Sequence, residues 1–223
     1  MGLISTKDSD GDNEIAYNFH FPTSKKALII FTRNPELGKV KTRLANTIGN
    51  EAALKIYNHL LLHTATTIAQ VKADRFVFYS KSIHNNDIWD STLFRKKLQY
   101  GEDLGMKMEN AFNELFLLGY KEVIIVGSDL LDLQPKHIEK AFHKLENYDV
   151  VIGPAKDGGY YLLGMKTLHS QIFNNKKWGT DTVFQNTIND LQSESVFLLE
   201  VLNDIDVYED IKDIEELKAL IKK

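Results

Sequence analysis

From residue 26 onward the apolar and polar positions fall into two alternating rhythms. Short, nearly unbroken apolar runs of strand length occupy residues 27–31, 75–79, 122–127 and 149–153. Residues 159–165 and 195–199 read the same way. Between them the spacing stretches to helical. Residues 50–71 place Leu54, Tyr57, Leu61, Ala65 and Ile68 on one face, with Asn50 as the N-cap. Residues 104–118 form a helix closed by Gly119, and 135–145 one with Pro135 in its first turn. Residues 181–191 and 208–221 complete the set.

Strands alternating with helices predict an α/β domain around a mainly parallel sheet, with helices on both faces. Continuous apolar strands suit burial on both sides. Residues 153–165 run strand–turn–strand with no helix between, which predicts one local antiparallel pairing. No repeat and no Gly/Ser- or Pro-rich linker interrupts the chain after residue 25. The expectation is a polar tail at 1–24 and a single domain at 25–223.

Composition narrows the chemistry. The 223 residues include no cysteine, which excludes a disulfide scaffold, a zinc ribbon, an iron–sulfur centre and a cysteine nucleophile. With 27 Lys+Arg against 31 Asp+Glu the net charge is −4, so a globally basic nucleic-acid binder is not expected. No apolar run approaches the roughly 20 residues of a membrane span. The first residues carry no basic segment followed by an apolar one, and a cytoplasmic location is expected. Two tail patterns weaken on inspection. A calcium loop starting at Asp8 would need Gly at 13 and Glu at 19, where Asn13 and Phe19 stand. Gly2 with Thr6 fits a myristoylation pattern that no polybasic stretch supports.

In open α/β sheets ligands bind beyond the carboxyl ends of the strands, and four segments there carry chemistry. After the first strand, residues 33–43 hold Arg33, Lys39, Lys41 and Arg43 against Glu36 alone, in a loop set by Pro35 and Gly38. An extended stretch would aim Lys39, Lys41 and Arg43 to one side, as a polyphosphate requires. The segment is not a Walker A loop, and no Gly-x-Gly-x-x-Gly follows the strand. After the fourth strand, Asp129 ends an apolar run, where a carboxylate needs a partner or a cation. Asp132 reads as a turn residue. The Asp157-Gly158-Gly159 turn permits close backbone approach, and Asp157 could orient an acceptor hydroxyl or act as base. Of Tyr160 and Tyr161, alternation lets only one line a pocket. After the last strand, Asp204 and Asp206 fall on one side of an extended segment, while capping accounts for Asp210.

Taken together, the motifs Arg-x-Pro-x-x-Gly-x-x-Lys-Thr-Arg-Leu (33–44), Gly-Ser-Asp (127–129), Gly-Pro-Ala-x-Asp-Gly-Gly-Tyr-Tyr-Leu-Leu-Gly (153–164) and Asp-Ile-Asp-x-x-Glu-Asp (204–210) resemble the DUF2064 family. These are bacterial and archaeal glycosyltransferase-like proteins of the GT-A, or nucleotide-diphospho-sugar transferase, superfamily. They are related to phospholactate guanylyltransferases and, more distantly, to molybdenum-cofactor guanylyltransferases. The resemblance spans roughly residues 27 to 220. It implies a single Rossmann-like GT-A domain and a Mg²⁺ or Mn²⁺ ion held by Asp129 and Asp206. It implies that Asp129 serves catalysis and that Arg33, Lys39, Lys41 and Arg43 form a basic nucleotide-binding loop; beside it the residues themselves offer Asp157 as a second catalytic candidate and Lys107, Gly158, Gly159 and Tyr160 as substrate or nucleotide contacts.

The implied partners are a nucleoside triphosphate or nucleotide sugar and a small-molecule acceptor. The activity expected first is nucleotide-diphospho-sugar transfer. The alternatives are a guanylyltransferase-like nucleotidyltransferase releasing pyrophosphate, or a nucleotide-binding protein without catalysis. Three positions depart from the family pattern. Leu130-Leu131 replace a Pro, Lys107 stands for an Arg and so loses its bidentate fork, and Val207 stands for a Thr.

Overall fold

The computed structural model describes residues 22–221; the calcium-loop and myristoylation patterns lie outside them. Seven strands form one sheet: β1 (Lys26–Thr32), β2 (Asp74–Tyr79), β3 (Arg95–Leu98), β4 (Glu122–Val126), β5 (Val150–Pro154), β6 (Tyr160–Met165) and β7 (Val196–Leu198). Their spatial order is β3-β2-β1-β4-β6-β5-β7. β6 alone runs antiparallel, pairing with β4 on one side and β5 on the other. The helices are α1 (Thr42–Ile48), α2 (Asn50–Ala69), α3 (Leu104–Leu117), α4 (Pro135–Leu145), α5 (Val183–Asp190) and α6 (Glu215–Ile221).

The strands are apolar throughout because both faces are covered. In β1, Leu28 and Ile30 point to the layer of α2 and α4 and pack with Leu61, Ile68, Ile138 and Phe142. Ala27 and Ile29 point the opposite way, to Phe112 and Leu115 of α3 and to Ile172 and Phe173 of the 3₁₀ turn Ser170–Phe173. All four β1 residues are fully buried, each larger side chain contributing roughly 1.5–3 kcal/mol. A third cluster joins α1 and α6 to the outer side of α2 through Leu44, Ile56, Leu60, Ile205, Ile211 and Leu217. It seats the segment after β7 beside the loop after β1.

The expected single domain with a mainly parallel sheet, a local antiparallel strand and helices on both faces is what the structure shows. Several details differ. β3 reads Arg-Lys-Lys-Leu and carries no apolar alternation, because it is an edge strand guarded by charge. Lys96 pairs with Asp87 and Lys97 with Glu114. The expected extended run at 39–43 is instead a turn that enters α1 at Thr42. Gly49, not Asn50, caps α2. The closing helix divides into a 3₁₀ turn at Tyr208–Asp210 and α6.

Candidate active site

The carboxyl ends of β1, β4 and β5 open on one cleft. On its first side the loop after β1 is held by two buried polar residues. The Tyr57 hydroxyl lies 3.0 Å from both the Arg33 amide and its carbonyl, accepting from the former and donating to the latter. The Asn34 side chain accepts from the Lys81 amide at 3.0 Å and donates to the Ser82 carbonyl at 2.8 Å. This fixing leaves the Arg33 and Lys39 side chains exposed. Lys41 takes a left-handed conformation, φ 48°, at the N-terminus of α1. That conformation costs a non-glycine residue about 1–2 kcal/mol. It carries the side chain, only 6% exposed, across to place Nζ 2.8 Å from Asp129 Oδ2. At the second residue of α1, Arg43 reaches Asp206 at 2.9 Å. The basic loop thus crosses the cleft in two ion pairs.

On the other side three carboxylates line one cavity of about 230 Å³: Asp129 after β4, Asp157 in the β5–β6 turn and Asp204 after β7. Asp204 arrives there because residues 202–205 bind along the strand ends. The Leu202 amide donates to the Pro154 carbonyl at 3.2 Å, and the Ile205 amide to the Asp129 carbonyl at 3.1 Å. Burial, then the nearby Asp157 and Asp129 charges, push the Asp204 carboxyl up to about 6. Asp210 organises this segment, accepting from the Asn203 side chain and from the Asp206 and Val207 amides. Burial opposes ionisation of Asp210, but those donors win and hold its pKa below the usual carboxylate value.

Of the two carboxylates expected to share a side, Asp204 and not Asp206 lines the cavity. Asp206 faces Arg43 instead. Among the described residues no three His, Cys, Asp or Glu side chains form a ready-made metal cage.

The β5–β6 turn closes on itself. Asp157 Oδ1 accepts from the Gly159 amide at 2.8 Å. Gly158 has φ +89°, and a Cβ there would fall 2.3 Å from the Asp181 carbonyl oxygen. Its close approach therefore serves the segment before α5, and its carbonyl accepts from the Phe184 amide in the first turn of α5 at 2.9 Å. Of the Gly158-Gly159 pair, Gly159 is the one that lines the cavity. Both tyrosines border it, unlike the alternation expected, since the β5–β6 register shifts at Gly153/Pro154. Tyr161 sends its hydroxyl to the Glu200 carbonyl, 3.1 Å away. Burial raises the Tyr160 phenol, with the Thr187 hydroxyl opposing.

The remaining wall comes from Leu104 and Met108 of α3 and from Trp178, Thr180 and Val183. Lys107, on the same helix, is not among the lining residues. Trp178 and Thr180 sit in an aperiodic stretch between the 3₁₀ turn and α5, where sequence pattern gives no signal. Gly105 does carry one: a Cβ there would meet the Trp178 ring at 2.6 Å.

Residues 63–180 match the family described as an uncharacterized protein conserved in bacteria, DUF2064. The chain belongs to the DUF2064 family. A crystal structure from Desulfovibrio desulfuricans G20, described provisionally as a nucleotide-diphospho-sugar transferase, is 30% identical to this DUF2064 protein. It superposes with a TM-score of 0.79 over 89% of this chain and 97% of that one. The 2-phospho-L-lactate guanylyltransferase of Methanocaldococcus jannaschii is 27% identical over 143 residues, 64% of this chain and 61% of its own length. The match thus leaves well over a third of that relative uncovered. The 4-diphosphocytidyl-2C-methyl-D-erythritol synthase of Anaerococcus prevotii DSM 20548 shares the fold at 14% identity, with a TM-score of 0.56 over 89% and 96% of the two chains.

Proposed function

We propose that this DUF2064 protein is a metal-dependent transferase that takes a nucleoside triphosphate and passes its nucleotidyl group to a hydroxyl-bearing small molecule. The observation that carries this reading is the cleft itself. A loop bearing Arg33, Lys39, Lys41 and Arg43 stands against Asp129, Asp204 and Asp206, with two ion pairs already spanning the gap. A polyphosphate and a divalent cation need both signs of charge at one place.

The carboxylate set fits Mg²⁺ or Mn²⁺. Asp204 is pushed up by burial and then by the neighbouring Asp157 and Asp129 charges, which a bound cation would offset, and oxygen donors suit hard cations. No cage is complete, which suits an ion that shares its coordination with substrate phosphates. Asp129 and Asp204 would hold it, and it would supply charge neutralisation at the phosphates.

The chain's own groups do the rest. Arg33 and Lys39, exposed on the loop, bind the outer phosphates. Lys41 and Arg43 take up charge nearer the carboxylates. Asp157, fixed by the Gly159 amide, orients the acceptor hydroxyl and receives its proton. The acceptor oxygen forms a bond to the α-phosphorus, and the bond from that phosphorus to the bridging oxygen breaks. Pyrophosphate leaves with the electron pair.

A second reading, sugar transfer from a nucleotide sugar, draws support from the description of the Desulfovibrio structure. Calorimetric titration with nucleoside triphosphates and with nucleotide sugars, each with Mg²⁺, separates the two. Preference for a triphosphate is expected. Asp129→Asn should weaken that binding at least about tenfold, the effect of losing a charged ligand of about 1.4 kcal/mol or more. Unchanged affinity in Asp129→Asn would remove the metal role.

A further inference from the structure

The two ion pairs that cross the cleft are not alike. The Lys41 side chain is only 6% exposed where it meets Asp129, whereas the Arg43 side chain is 70% exposed where it meets Asp206. Water and salt screen an exposed pair heavily and a buried one little. Lys41 also reaches its partner from a strained backbone. Among the described residues only Lys41 and Asn175 combine a side chain with positive φ. Strain of that kind persists where the surroundings hold it, and the 2.8 Å contact with Asp129 Oδ2 is what Lys41 gains.

Asp129 therefore already has its positive charge. A divalent cation on the same carboxylate would stand beside the Lys41 ammonium. Like charges that close repel strongly even at an effective dielectric constant of about 20. Asp157 and Asp204 border the same cavity, but among the described residues no three His, Cys, Asp or Glu side chains form a cage to which an ion could move. A polyphosphate alters the balance. Its oxygens bind an ammonium and a metal ion alike, so it can draw Lys41 off Asp129 as the cation arrives.

We propose that Lys41 is a latch: its ammonium competes with the divalent cation for Asp129, and a polyphosphate releases it, so that metal and polyphosphate enter together and neither binds well alone. The latch rests on the metal-dependent reading above and adds to it a coupling between the two ligands. Arg43 is too exposed to act in the same way on Asp206.

The test measures binding without turnover. Mn²⁺ alone, metal-free pyrophosphate and preformed Mn²⁺–pyrophosphate are titrated into the full chain and followed by calorimetry. The EPR signal of free Mn²⁺ reports the metal directly. The parent should bind Mn²⁺–pyrophosphate at least about tenfold more tightly than either part alone. Lys41→Met should tighten Mn²⁺ alone at least about tenfold and weaken metal-free pyrophosphate severalfold. A damaged loop would weaken both, so the opposite signs mark the latch. Lys41→Gly, which accepts the left-handed backbone without strain, should show the same two signs. Lys41→Arg keeps the charge and should leave Mn²⁺ alone weakly bound. Arg43→Met, in the screened pair, should shift Mn²⁺ affinity by less than about threefold.

Mn²⁺ affinity that is unchanged or lower in Lys41→Met and Lys41→Gly would overturn the latch, because the lysine would then support the cation site or play no part in it. Tight Mn²⁺ binding by the parent without pyrophosphate would overturn it too. The two readings fail separately. If the parent binds Mn²⁺–pyrophosphate and loss of the Lys41 charge does not tighten Mn²⁺, only the latch is lost. If loss of that charge tightens Mn²⁺ but no protein binds Mn²⁺–pyrophosphate, the latch stands as a metal gate and the triphosphate assignment is lost.

Discussion

Asp204 is the residue at which stability and site chemistry oppose each other. Its carboxyl is buried beside Asp157 and Asp129, and its pKa rises to about 6. A group raised in the folded state stabilises fully below its unfolded value of about 3.9, and that contribution is lost as pH rises through about 6. Above that pH the folded protein carries an ionised carboxylate in an acidic cavity. Asp204→Asn should therefore stabilise the protein by roughly 1–3 kcal/mol at pH 7–8 and by almost nothing at pH 4. Urea midpoints of both proteins across pH 4–8 check this, and a constant difference would show that Asp204 is not the titrating group. Lys41 expresses the same tension through the backbone, since its left-handed conformation is retained where its Nζ meets Asp129.

The Trp178 side of the cavity depends on how the β5–β6 turn seats the segment before α5. Gly158 makes that contact at its Cα, where a side chain would meet the Asp181 backbone, and its φ is +89°. Gly158→Ala should cost at least about 2 kcal/mol, combining the left-handed penalty with the clash. Chemical denaturation reads this cost.

Much at this scale was legible in the sequence, because long amphipathic or fully apolar segments announce themselves. The helix at Pro135–Leu145 falls at its expected bounds, with apolar periodicity and an initial Pro acting together. The strand at Arg95–Leu98 was not legible, since an edge strand signals through its neighbour's backbone and not through its own pattern. The left-handed Lys41 was hidden for a related reason. Nothing local favours that conformation, and its partner Asp129 lies 88 residues away.

Over the whole molecule the charge is divided by sheet position. The cations follow β1, near the centre of the sheet, and the carboxylates follow β4, β5 and β7. A net charge of −4 conceals this division. The candidate residues after each strand could be picked out from sequence because strand ends face one way. Which of Asp204 and Asp206 would enter the cavity could not, because that choice is made by Arg43 and by the pairing of residues 202–205 with distant strand ends. The division has a measurable result. Triphosphate affinity should fall severalfold as salt rises from about 0.05 to about 0.5 M, because exposed Arg33 and Lys39 are screened within a few ångströms at high salt. Calorimetric titrations at the two salt concentrations check this, and an unchanged affinity would remove the role of the exposed cations.

The reversed strand β6 gives this arrangement a consequence for descent. Because β6 runs against its neighbours, the turn bearing Asp157 joins two adjacent strands directly at the open end of the sheet. That turn can lengthen, shorten or change residue without a crossover helix having to move. The loop after β1 belongs to a separate connection on the other side of the cleft. Relatives can therefore vary the cavity by editing the turn and the wall facing it, while inheriting the basic loop after β1 intact.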